Sequence, residues 1–128
     1  MTTPTPIKPT ESELEILNIL WDLGPSSVRD VHEKLSLTKD SGYTTTLKLM
    51  QIMLEKDLLI RDGSNRTHIY TANIQREHTQ GQLVKRMIDT MFNGSASKLV
   101  MQALGNHQAS KAELDAIREY LEKRVKGL

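Results

Sequence analysis

Residues 43–48 read Tyr-Thr-Thr-Thr-Leu-Lys, which places four hydroxyls and one ammonium within six positions. Such side chains hydrogen-bond to phosphates and base edges, and a threonine methyl can lie against a thymine methyl. Lys48 can reach a phosphate or a guanine acceptor, and Ser41 adds a further hydroxyl just ahead. The same run also suits helix capping and local hydroxyl bonding to the backbone. A second polar pair, Asn65 and Arg66, sits in a turn-forming stretch, where it is either a solvated tip or a probe for a nucleic-acid backbone.

Catalysis has no candidates. The chain lacks cysteine, a His-Glu-x-x-His pair and a glycine-rich phosphate loop. His32, His68, His78 and His107 are scattered and not at metal-ligand spacing. No enzymatic activity, metal or cofactor is expected.

The hydroxyl run needs elements to hold it. Thr10-Glu11-Ser12-Glu13 has the form of a capping box. Apolar rows follow at Leu14, Leu17, Leu20 and Trp21 and at Ile16, Ile19 and Leu23, so a first helix ends at Gly24-Pro25. Ser27 caps a short second helix carrying Val28, Val31 and Leu35. A polar connection leads to a third helix from about Thr44 to Lys56, with Leu47, Met50, Met53 and Leu54 inward and Thr44, Lys48, Gln51 and Glu55 outward. The period then shortens. Leu58–Arg61 and Thr67–Thr71 read as two strands around a turn at Gly63–Arg66, a hairpin that must pack on the helices to be stable.

This order is that of a winged helix-turn-helix, in which the third helix lies in a major groove and its first residues meet base edges. Tyr43, Thr44, Thr45, Thr46 and Lys48 stand at that end, and Arg66 stands on the wing. The same fold also serves as a protein-docking adaptor, or as a regulator gated by an effector between two domains.

Beyond Ala72 the chain is helical again, with a broad apolar stripe at Leu83, Val84, Met87, Ile88, Met91 and Phe92. Two short helices follow, one with Leu99 and Leu104 and one with Leu114, Ile117 and Leu121 behind a capping box at Ser110–Glu113. About 55 residues rarely form a core unaided. Leu83, Met87, Met91, Phe92, Leu99, Leu104, Leu114, Ile117 and Leu121 are therefore expected at a homodimer interface, the alternative being packing back onto the first domain. A two-fold dimer also suits two DNA half-sites. The expected class is mainly α with a small β-hairpin: a flexible arm over 1–8, a winged-helix domain over 9–72 and a three-helix dimerisation domain over 73–128.

Of the 128 residues 38% are hydrophobic and 26% charged, a normal composition for a soluble chain. The net charge of +1 shows no bulk preference for nucleic acid, but its distribution is uneven. Pro9–Glu33 carries six acidic residues against Arg29 alone, whereas Lys34–Arg76 carries seven basic residues against four acidic ones. No apolar run is long enough to span a bilayer, and MTTPTPIKP lacks the apolar stretch of a secretory signal, so a cytoplasmic protein without membrane insertion is expected.

The chain resembles the penicillinase-repressor (BlaI/MecI/CopY) family of bacterial regulators. The marks are Thr10–Trp21, Gly24-Pro25, Ser27–Val31, Tyr43–Thr46, Glu55-Lys56, Arg66 with Tyr70, Phe92–Ser95 and Glu113-Leu114, in this order and at these spacings. The resemblance implies a transcriptional repressor that binds double-stranded operator DNA as a homodimer on an inverted repeat. It places Tyr43, Thr44, Thr45 and Lys48 of the third helix at the DNA. This chain has Ile52 where the family often has arginine and Asp57 where it often has glycine. It also lacks the cysteine cluster of copper-responsive members. In β-lactam-responsive members a membrane sensor triggers cleavage at an Asn-Phe bond. Gln102-Ala103 stands there in this chain, so release through a sensor protease is implied by analogy without that cleavage chemistry.

Overall fold

Thr10 opens the first helix, α1 (Glu11–Leu23), through a complete capping box: its hydroxyl accepts from the Glu13 N–H and its own N–H donates to Glu13. Ser27 and Asp30 repeat the device at α2 (Val28–Leu35). Then come α3 (Tyr43–Glu55), β1 (Leu59–Asp62), β2 (Ile69–Ala72), α4 (Arg76–Met91), α5 (Ala96–Asn106) and α6 (Lys111–Lys126). The computed structural model describes residues 8–128, so the arm expected over 1–8 lies outside the described residues except for Lys8. The chain is mainly helical with one small antiparallel hairpin, as its periodicity predicts.

It divides into two compact units, the first closing at Leu83 and the second comprising Val84–Leu128. The core of the first unit joins Ile16, Leu17 and Leu20 of α1, Val28 and Val31 of α2, Met50 and Met53 of α3, and Leu58, Leu59 and Tyr70 of the hairpin. Each such side chain, fully buried, contributes roughly 1.5–3 kcal/mol. Leu23, the last member of the second apolar row of α1, is exposed in the final turn, next to Gly24 with its positive φ of 80°.

The hairpin pairs Leu59 with Ala72 and Asp62 with Ile69. A further bridge that the sequence pattern does not signal ties it to the helices. Ser26, between α1 and α2, exchanges both backbone hydrogen bonds with Tyr70, at 3.0 and 2.8 Å. The chain leaving the hairpin is fastened as well: the Trp21 indole N–H donates to the Ile74 carbonyl at 2.9 Å. Arg76 lies over the Trp21 ring and pairs with Asp22, and Thr79 is buried. The first turns of α4 thus belong to the first unit, although the helix begins beyond residue 73.

At the end of α3, Asp57 adopts a left-handed backbone with φ 62°. The Leu58 N–H bonds to the Met53 carbonyl and the Asp57 N–H to that of Leu54, the pair of bonds that defines a Schellman motif. Glycine takes this conformation without a Cβ penalty, which explains the residue expected here from the family pattern. Asp57→Gly is expected to raise stability by about 0.5–1 kcal/mol in urea unfolding. Equal or lower stability would show that the motif carries no strain.

Glu13 is the buried charge of this unit. Lys56 donates to both its carboxylate oxygens, at 3.1 and 2.9 Å, and the Thr10 N–H donates at 2.8 Å. Burial pushes the carboxyl up, but the Thr10 N–H, the Lys56 ammonium and the Thr10 hydroxyl outweigh it and hold Glu13 below its ordinary 4.5. A carboxylate depressed in this way stabilises the fold above its unfolded value, and that stability is lost as pH falls through the folded one. Glu13→Gln is therefore expected to cost roughly 1–2 kcal/mol at pH 7 and to flatten the acid limb of the stability profile. Identical urea midpoints for the two proteins at neutral pH would refute this.

In the second unit, α4 ends at Met91 and is followed by Asn93 and Gly94, both with positive φ, and the Gly94 N–H returns to the Ile88 carbonyl at 2.9 Å. Ser95 caps α5. Ser110 caps α6 by accepting from the Glu113 N–H, but only this half of the expected capping box forms. At 16 residues α6 is not the short helix anticipated. Neither α5 nor α6 holds a fully buried residue.

Candidate nucleic-acid interface

Gly42 precedes α3 and brings no side chain to cap it. The Thr45 and Thr46 N–H groups fold back to the Gly42 carbonyl, while those of Tyr43 and Thr44 point ahead of the helix, as a phosphate would require. Tyr43 is 46% exposed. Thr44, Thr45 and Lys48 are exposed beside it, as are Gln51 and Glu55 further along, and Ser41 is half-buried just before the helix. The expected outer stripe of α3 is outward.

Thr46 is a correction. It is 0% exposed, and its hydroxyl lies 3.0 Å from Nδ1 of His32 on α2. The cause is helical spacing: Thr46, Met50 and Met53 stand at i, i+4 and i+7, the row that faces the core. Thr46 therefore leaves the set of DNA-facing candidates and joins the brace between α2 and α3. The spacing from Met50 was the available signal, masked by the run of identical neighbours.

The wing tip, residues 63–68, is exposed throughout and includes Arg66. The Ser64 N–H donates to Asp62 at 2.9 Å, which shapes the tip and holds the Asp62 carboxyl below its usual value. An open groove of about 540 Å³ is lined by Arg29, Tyr43, Arg66 and His68, among others. It brings the start of α2, the start of α3 and the wing together on one side of the first unit. Arg29 and His68 were not among the candidates read from sequence. Arg29 follows Val28 in an α2 whose Val28, Val31 and Leu35 row is buried, so helical phase alone assigns it to the surface.

Charge pairing separates the basic residues. Lys39 pairs with Glu15, Lys56 with Glu13 and Arg76 with Asp22. Among the described residues Lys48 and Arg66 make no ion pair, so the cations at this face keep their charge for an external anion.

Residues 9–123 match the family model for the penicillinase repressor. The chain is 22% identical over 115 residues to the methicillin resistance regulatory protein MecI of Staphylococcus aureus (strain N315), covering 90% of this chain and 94% of that protein. It is 23% identical over 113 residues to the penicillinase repressor of Bacillus licheniformis, covering 88% of each. It is 29% identical over 111 residues to the transcriptional regulator BlaI of Mycobacterium tuberculosis (strain CDC 1551 / Oshkosh), covering 85% of this chain and 79% of the relative. Among solved structures it is similar to the monomeric form of Bacillus licheniformis BlaI in complex with the blaP half-operator. That likeness has a TM-score of 0.50 at 22% identity and covers 56% of this chain and 87% of that one, and it speaks for the fold. With a family match over nearly its whole length and the helix order in place, the chain belongs to the penicillinase repressor family of winged-helix DNA-binding transcriptional regulators.

Proposed function

We propose that this protein is a cytoplasmic, sequence-specific repressor that acts as a homodimer on an inverted-repeat operator and performs no catalysis. The observation that carries the reading is the shared face of Tyr43, Arg66 and Arg29 around one groove, with Thr44, Thr45 and Lys48 exposed beside it. In this reading α3 enters the major groove, Tyr43, Thr44, Thr45 and Lys48 meet bases and phosphates, and Ser41 lies at the same end. Arg66 and Arg29 bind backbone phosphates on either side. Residues 9–72 form the DNA-binding domain and 73–128 the dimerisation domain.

Support for the dimer comes from the second unit together with Leu83, the last residue of the first. Leu83, Phe92, Leu99, Leu104 and Ile117 are only half-buried, and Met87, Met91, Leu114 and Leu121 are exposed. Val84, Met101, Tyr120 and Val125 of the second unit are exposed as well. So much exposed apolar area on one unit calls for a cover, and a second copy supplies it. Release from the operator through a membrane sensor protease belongs to this reading, in keeping with the family resemblance.

Fluorescence anisotropy tests the reading. The full-length protein is expected to bind a selected inverted repeat with Kd in about the nanomolar range, weakening steeply with salt as Lys and Arg release counterions. Binding indifferent to both salt and sequence would overturn it.

A further inference from the structure

His32 stands in the middle of α2, half-buried, and its ring has three neighbours. Nδ1 lies 3.0 Å from Thr46 Oγ1, and Nε2 lies 3.3 Å from Ser36 Oγ. The Tyr43 ring meets it edge-on, with centroids 5.7 Å apart and 84° between the planes. Hydrogen-bond balance assigns the ring protons from these heavy-atom contacts. Ser36 has one hydroxyl proton, and it is donated to the His32 carbonyl at 2.8 Å. Ser36 Oγ can then only accept from the ring, so Nε2 carries a proton. In the neutral imidazole Nδ1 is the acceptor, and the buried Thr46 hydroxyl donates to it.

The placement matters for α3. Its fully buried apolar row begins at Met50, one turn beyond Thr46, with Leu47 packed partly buried against the same core, and apolar packing has no preferred direction. The first turn, which carries Tyr43, Thr44 and Thr45, has no side-chain cap. Directional restraint on that turn comes from the His32–Thr46 hydrogen bond and from the Tyr43 ring against His32.

We propose that His32 is a positioning residue for DNA recognition: held between Ser36 and Thr46 as the Nε2–H tautomer, it fixes the rotation of α3 and aims Tyr43 at the DNA. The inference rests on the reading of α3 as the DNA-facing helix. His32 itself does not touch DNA.

The test uses the full-length protein and an operator fragment obtained by selection. Heteronuclear NMR of histidine-labelled protein at neutral pH is expected to show His32 protonated at Nε2 and not at Nδ1. Thr46→Val removes the hydroxyl while keeping the side-chain shape, and is expected to weaken operator binding about fivefold with affinity for unrelated duplex unchanged. Thr46→Ser keeps the hydroxyl and is expected to bind as the parent does, a rescue that a purely apolar role for this position would not produce. In His32→Ala, adding Thr46→Val is expected to cost nothing further, because the bond is already gone. A proton found on Nδ1 overturns the proposal, a result that does not depend on any variant folding. So does operator affinity in Thr46→Val equal to the parent's. If Lys48→Ala and Thr45→Ala also bind like the parent, the placing of α3 on DNA has failed. If those two weaken binding and Thr46→Val does not, the role of His32 alone has failed.

Discussion

Met91→Glu and Leu121→Asp are each expected to turn the proposed dimer into a monomer in sedimentation and to weaken operator binding about a hundredfold. Both positions are open in the single subunit, Met91 at 74% and Leu121 at 52% exposure. A carboxylate there meets water in the monomer and costs the fold little. In a dimer that buries these side chains it loses hydration without a partner, and an uncompensated buried charge costs about 3 kcal/mol or more. A hundredfold change in affinity corresponds to about 2.7 kcal/mol, so this penalty suffices to separate the subunits at working concentration. Operator affinity falls with it because one subunit can hold only one half-site. Unchanged helix content by circular dichroism would show that the variants fold. An unchanged dimer would remove these faces of α4 and α6 from the interface.

Lys48→Ala combined with Arg66→Ala is expected to weaken operator binding about thirtyfold and to lower the slope of log affinity against log salt by about two units per subunit. The reason is that neither charge is used inside the protein, whereas Lys39 is paired with Glu15. Lys39→Ala is therefore the matched control. It removes one positive charge from the same domain yet is expected to leave affinity close to the parent's. An equal loss from Lys39→Ala would mean that net charge, not the α3 and wing face, drives association.

Much of this protein could be read before its structure. Thr10 caps its helix as its spacing to Glu13 indicates, Ser27 caps the next as its place ahead of Val28 indicates, and the change to period two at Leu58 marks the hairpin. What escaped depends on tertiary context. Ser26 has no strand propensity of its own, and its bridge to Tyr70 exists because two distant segments are brought side by side. Thr46 looks like Thr44 and Thr45 in composition, and only its phase relative to Met50 and Met53 turns it inward. Arg29 and His68 are distant in sequence and become neighbours only when the wing folds beside α2. In the second unit the apolar residues were legible as a set, but the half-buried and the open ones were not separable, because helical periodicity marks an apolar face without showing which part of it a neighbouring helix covers.

Selection of bound fragments from a random-sequence duplex pool, run in parallel on the parent and on Thr45→Ala, asks whether α3 reads bases. The expected result is an inverted repeat from the parent and the same repeat from the variant with one base pair relaxed in each half, since a threonine methyl and hydroxyl are lost at each recognition helix. A parent pool without an enriched repeat, or identical preferences for the two proteins, would contradict the placing of the outer face of α3 against the DNA bases.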